Sequence, residues 1–204
     1  MRVVFVQYGE DIQYATMMVA SCKRLGYEVW QLADMAAPEV PGVDRIQREP
    51  MSGPRNLWRY KRLADLDGEY VSLDTDMLVA SDISHGFGGD VALSWRSPNL
   101  VVVDGEPIPM PYNGGLVMVS NPAFIRECYA RMQAQDPKQS DWWGDQIALR
   151  DVAQSGAFAV RELRDTRWNF SPNGLGEIYD GALIYHFKGL RKRMMKPYFE
   201  ELFG

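Results

Sequence analysis

The segment Leu73-Asp74-Thr75-Asp76-Met77-Leu78-Val79 sets two carboxylates two residues apart inside an apolar stretch. It directly follows Tyr70-Val71-Ser72-Leu73, a run that reads as a strand. In an extended chain, residues i and i+2 point to the same side, so both carboxylates are expected to converge on one site. Like charges held that close repel each other and raise a pKa unless something positive lies between them. A hard divalent cation with oxygen ligands resolves the conflict, and manganese or magnesium suits the donor set. The plainer alternative is a pair of surface aspartates that close a strand.

These residues need a scaffold, and the hydrophobic pattern supplies one. Residues 2–8 form a short β-branched and aromatic run stopped by Gly9, as a buried parallel strand does. Ile12, Ala15, Met18, Val19, Cys22 and Leu25 then recur at helical spacing, with Gly26 as the stop. A second strand over 27–32 completes a βαβ opening. A Pro-rich loop around Pro38 and Pro41 leads to a third strand over 43–47. A helix from Gly53-Pro54 to Asp67 follows, with Leu57, Tyr60, Leu63, Ala64 and Leu66 facing inward. The next strand delivers Asp74 and Asp76 at its carboxyl end, where open α/β sheets bind ligands. Further strands are predicted at 91–95, 115–120 and 182–187, and helices at 122–134, 145–153 and 190–202. The class is α/β, with a mostly parallel central sheet and flanking helices.

Composition fits this scaffold. A chain of 204 residues with 46% hydrophobic content and six Trp can bury a sizeable core. We read residues 1–204 as a single domain, with a nucleotide-binding half over 1–80 and a second half over 81–204 that would complete the site. A net charge of −5 argues against a general polyanion binder, although the stretch 188–193 is locally basic. Neither Cys22 nor Cys128 has a metal or redox spacing, and Cys22 falls on the apolar stripe of the first helix. A reducing, cytoplasmic setting is expected. No window reads as a membrane span, and the N-terminal apolar run is too short for a signal peptide. Peripheral docking of the basic C-terminal helix on a membrane is an alternative to packing of its Met194, Met195, Tyr198 and Phe199 against the fold.

Several segments then fall in order: Tyr70 to Asp76, Tyr112-Asn113-Gly114-Gly115-Leu116-Val117-Met118, Gly144-Asp145-Gln146, Trp168-Asn169, and His186-Phe187-Lys188-Gly189-Leu190-Arg191-Lys192. This series resembles glycosyltransferase family 8 and related GT-A fold enzymes, the glycogenin-like and galactosyltransferase-like transferases. It spans most of the chain, and His-x-x-Gly-x-x-Lys after Asp-x-Asp is its most specific part. The resemblance implies a retaining glycosyltransferase that moves a hexose from a nucleotide-diphosphate sugar, by default a UDP-sugar, to an acceptor. It implies Asp74, Asp76 and His186 as metal ligands and Lys192 on the diphosphate, with Gly189 letting the backbone pass close by. Asn113 and Asp145 would bond sugar hydroxyls beside Gly114, and Gln146 would lie near the anomeric carbon. This chain departs from the pattern in three places. Ile147 stands where a third acidic residue is usual, Gly114 replaces the usual Ser or Thr, and Gly9 to Tyr14 matches the N-terminal signature only loosely.

Other residues carry two readings. Arg59, on the helix before Asp74, either reaches the nucleotide or lies on a solvated basic face. Gln7, Tyr8 and Tyr14 sit at the mouth of the first strand, where the tyrosines either stack on the base or pack in the core. Trp142 and Trp143 precede Asp145 and either staple a helix entry or stack on a sugar. His85, between Ser84 and Gly86, reads as structural. A haloacid-dehalogenase-like magnesium phosphatase shares the Asp-x-Asp strand end, but its motif belongs near the N-terminus. A non-catalytic nucleotide-sugar binding module is the other rival. The acceptor, whether glycan, lipid, protein or nucleic acid, is not legible in the residues.

Overall fold

The computed structural model describes residues 1–96, 100–103, 106–135 and 143–204. The fold is mixed α/β, with a mostly parallel central sheet of seven strands and flanking helices. The residues form two compact units that interleave along the chain: 1–50, 71–85 and 165–204 in the first, 51–70 and 86–164 in the second.

In the first unit, β1 (Arg2–Gln7) is buried from Val3 onward. It pairs in parallel with β2 (Glu28–Ala33) and β4 (Tyr70–Leu73), and β3 (Arg45–Arg48) continues in parallel from β2. Near-continuous apolar runs are what strands covered on both faces require. Helix α1 (Gln13–Arg24) links β1 to β2 and turns Ala15, Met18, Val19 and Cys22 inward. Gly26, at φ +72°, ends it in a conformation that a Cβ would disfavour.

A small antiparallel pair, β5 (Met77–Val79) with β11 (Ile184–His186), sets Met77 opposite His186 and Val79 opposite Ile184. Ser21 on α1 anchors this pair, its Oγ accepting the Val79 N–H at 3.0 Å. The expected C-terminal helix starts later than its periodicity indicates. Gly189, at φ +58°, opens a 3-10 turn over Gly189–Met194, and α5 (Met195–Phe203) follows. Pro197 thereby falls in the first turn of α5, where a missing N–H costs nothing. Met195 and Tyr198 face inward, and α5 packs on α1 and β5.

In the second unit, α2 (Arg55–Ala64) buries Trp58, Tyr60, Leu63 and Ala64. Leu57, expected inside, is only half-buried, and Trp58 takes the inner position. The helix packs with α3 (Ala123–Ala134) and α4 (Gly144–Gln154). Strand β6 (Val91–Trp95) pairs antiparallel with β9 (Tyr112–Val119) and parallel with β10 (Val160–Leu163). β9 begins at Tyr112 rather than Gly115, so Asn113-Gly114-Gly115 belongs to a strand. Leu93 stands opposite Val117 and Ser94 opposite Asn113, so residues 114–116 bulge from the ladder. Glycines suit such a bulge, which re-aims neighbouring side chains. An antiparallel pair, β7 (Leu100–Val103) with β8 (Glu106–Pro109), also belongs to the unit.

Candidate active site

Asp74 and Asp76 do converge, but by a turn and not by strand alternation. β4 ends at Leu73, Thr75 and Asp76 form a turn, and β5 starts at Met77. The antiparallel register then brings His186 beside this turn, and the Phe187 N–H donates to the Asp76 carbonyl at 2.9 Å. His186 Nε2 lies 3.3 Å from Asp76 Oδ1 and 3.8 Å from Asp74 Oδ2. One ligand atom from each of Asp74, Asp76 and His186 lies within 4.8 Å of the others. His186 and Asp76 are buried and Asp74 is half-buried, so the cluster is open on one side.

The sequence marked Asn169 only as part of a resembling segment, and the structure supplies its partner. Its Oδ1 stands 2.8 Å from His186 Nδ1. When the imidazole is neutral, an acceptor there keeps the proton on Nδ1 and leaves Nε2 with a lone pair facing the carboxylates. Two carboxylate oxygens and one neutral imidazole nitrogen form a donor set that suits a manganese- or magnesium-like divalent ion.

Lys192 Nζ lies 3.1 Å from Asp76 Oδ2 and 6.0 Å from the centroid of the Tyr14 ring. Lys192 and Tyr14 therefore belong to the same neighbourhood as the acidic pair. Burial pushes the Asp76 carboxyl up, but the hydrogen bond and charge of His186 and the Lys192 ammonium outweigh it. Asp76 sits below the usual carboxylate range. Arg191 donates to Asn173 Oδ1 at 2.8 Å, which ties the 3-10 turn to the preceding loop. Gly189 starts that turn with open space where a Cβ would stand. At the tip of β1, Gln7 Nε2 donates to the carbonyls of Tyr8 at 3.2 Å and Asp11 at 2.8 Å, so its amide shapes the loop. Asp34 closes the same loop, its Oδ2 accepting the Gly9 N–H at 3.0 Å. Tyr8 is half-buried.

The second unit holds the other expected residues. Asp145 is buried in the first turn of α4, and its Oδ1 accepts the Gln146 N–H at 2.8 Å. A carboxylate suits this helix end, where N–H groups lack partners. A Cβ on Gly114 would stand 2.8 Å from Asp145 Oδ2, so the glycine leaves room for this carboxylate. Asn113 is buried, and its Oδ1 accepts the Gly115 N–H at 3.1 Å. Arg59 Nη2 donates to the Gly114 carbonyl at 3.0 Å, so the α2 cation braces the bulge. Gln146 Oε1 accepts from Arg96, which no motif marked. Ile147 is buried as a packing residue. Trp143 is half-buried and its carbonyl accepts the Ile147 N–H, whereas Trp142 lies outside the described residues. In the first unit, His85 packs tilted against Trp168 with ring centroids 4.9 Å apart.

No family model matches this chain, and no curated protein sequence does. Solved structures do. The galactosyltransferase LgtC, determined with donor and acceptor sugar analogs, superposes with a TM-score of 0.63 at 15% identity, covering 100% of this chain and 97% of that one. A glycosyltransferase involved in glycosylation of the major capsid of PBCV-1 gives 0.63 at 14% identity, covering 98% of each chain. GlyE of Streptococcus pneumoniae TIGR4 gives 0.61 at 15%, covering 100% of this chain and 60% of that one. The chain has the GT-A fold of these glycosyltransferases. Among the described residues, no helix is long and apolar enough to cross a membrane.

Proposed function

We propose that this protein is a divalent-metal-dependent, retaining glycosyltransferase that moves a hexose from a nucleotide-diphosphate sugar, by default a UDP-sugar, to an acceptor. The observation that carries this reading is the meeting of the Asp74 and Asp76 pair with His186, far from them in sequence, at one strand-end turn. The shared fold supports it, since the galactosyltransferase LgtC with that fold was determined with donor and acceptor sugar analogs.

Asp74, Asp76 and the Nε2 of His186 would hold the metal, which when bound acts as a Lewis acid toward diphosphate oxygens. Lys192 supplies a cationic donor beside Asp76, suited to the charge that grows on a departing nucleoside diphosphate. Gly189 gives the backbone room near that charge, and Tyr14 offers a ring face for the base. Gln7 and Tyr8 complete the nucleotide contacts of the first unit in this reading. In the second unit, Asp145, Asn113 and Gly114 bind and orient sugar hydroxyls, and Gln146 lies toward the anomeric carbon. Orientation of this kind does much of the work in group transfer. We read the whole chain as one transferase domain acting in the cytoplasm, where its free cysteines Cys22 and Cys128 stay reduced.

A thermal-shift screen of nucleotide-sugars with and without manganese tests the reading. At about 100 times its Kd, a ligand stabilises by about 2.7 kcal/mol, roughly 5–10 °C for a domain of this size. A shift for a UDP-sugar only with metal present, followed by metal-dependent hydrolysis of that sugar, is the expected result. The reading fails if no nucleoside diphosphate or nucleotide-sugar shifts the melting temperature under either condition.

A further inference from the structure

Arg96 stands directly after β6, at the end of the ladder with β9. Its backbone N–H donates to the Pro111 carbonyl at 2.8 Å and its Nε to the Met110 carbonyl at 3.0 Å. The side chain is half-buried and anchored at the entry to β9 before it reaches α4. There Nη2 donates to Gln146 Oε1, and the guanidinium also feels the charge of Asp145. Asp145 is itself fixed, with Oδ1 on the Gln146 N–H and Oδ2 against Gly114.

A primary amide has two unlike ends, an oxygen that accepts and an NH2 that donates. A planar guanidinium with a second anchor is a rigid partner, so holding the oxygen decides which end remains available. We infer that Arg96 is a positioning residue that locks the Gln146 side chain with its oxygen engaged and its NH2 presented. Gln146 then serves the bound sugar nucleotide as a hydrogen-bond donor, its oxygen being held by Arg96. This inference rests on the reading of Asp145 and Gln146 as sugar-side residues.

Two readouts test it. The Gln146 side-chain amide is found in a nitrogen-15 NMR spectrum by its loss in Gln146→Glu, and should shift in Arg96→Gln, a change visible without any turnover. In metal-dependent UDP-sugar hydrolysis, Arg96→Gln should lower kcat by about 100-fold, the scale of an ångström-level misplacement, with donor KM unchanged. Arg96→Gln combined with Gln146→Ala should be no slower than Gln146→Ala alone, as expected for residues acting as one unit. Gln146→Glu keeps oxygens for Arg96 but loses the NH2, and should fall as far as Gln146→Ala. Melting temperatures of all variants show whether any loss is one of folding. An unmoved Gln146 amide in Arg96→Gln, additive rate losses, or a Gln146→Glu enzyme at wild-type rate would overturn the inference. A wild type inert toward every nucleotide-sugar would instead refute the proposed function, while the amide resonance still reports the Arg96 contact.

Discussion

At the residue scale, a three-ligand cluster is only as good as the orientation of its imidazole. His186 is held by Asn169 through Nδ1 at 2.8 Å, leaving Nε2 toward both carboxylates. Removing such an outer partner costs about 10–100-fold in metal affinity in comparable sites. Asn169→Ala should therefore weaken manganese binding by about that factor, measured by titration calorimetry, with little change in melting temperature. Unaltered affinity would show that Asn169 does not set the ring. The three residues of the cluster were legible because Asp-x-Asp and His-x-x-Gly-x-x-Lys are spacings with chemical meaning. Asn169 and Arg96 were not, since each acquires its role from a partner distant in sequence, His186 in one case and Gln146 in the other. A lone polar residue carries no mark of such a partner.

At the element scale, the site depends on β5 and β11, each three residues long. Strands that short show no periodicity, so their pairing could not be read, although the second lay inside an expected strand. The turn between β4 and β5 also replaced the extended geometry expected for Asp74 and Asp76, because apolar residues on both sides of the motif were buried in different strands. Helices α1 to α4 were more legible, because ten or more residues repeat an apolar stripe. What keeps β5 in position is testable. Ser21 Oγ accepts the Val79 N–H inside a buried contact between α1 and β5. Ser21→Ala leaves that N–H without its acceptor, at a cost of about 1–3 kcal/mol, and should lower the denaturation midpoint accordingly. A midpoint equal to wild type would show that the contact is dispensable.

At the scale of the whole molecule, the α/β class and a mostly parallel sheet were readable from the opening βαβ pattern, and the fold likeness to solved glycosyltransferases agrees. Acid stability has a traceable source. Tyr27 donates to Asp82 Oδ1 at 2.6 Å and, with bonds from Ser84, lowers the Asp82 carboxyl to about 2 from its ordinary 3.8. A depressed carboxylate stabilises the fold above its unfolded pKa and loses that effect as pH falls through the folded one. Tyr27→Phe should thus melt below wild type near pH 5, with the Asp82-dependent part of the gap shrinking between about pH 4 and pH 2. A gap constant across that window would contradict the assignment. The most direct test of the account is a manganese titration followed by electron paramagnetic resonance, with and without UDP. The wild type should quench the free-ion signal, more tightly with UDP present, while Asp76→Asn and His186→Ala should each weaken binding more than about tenfold. Equal manganese affinity in all three proteins, or no influence of UDP on the wild type, would contradict it.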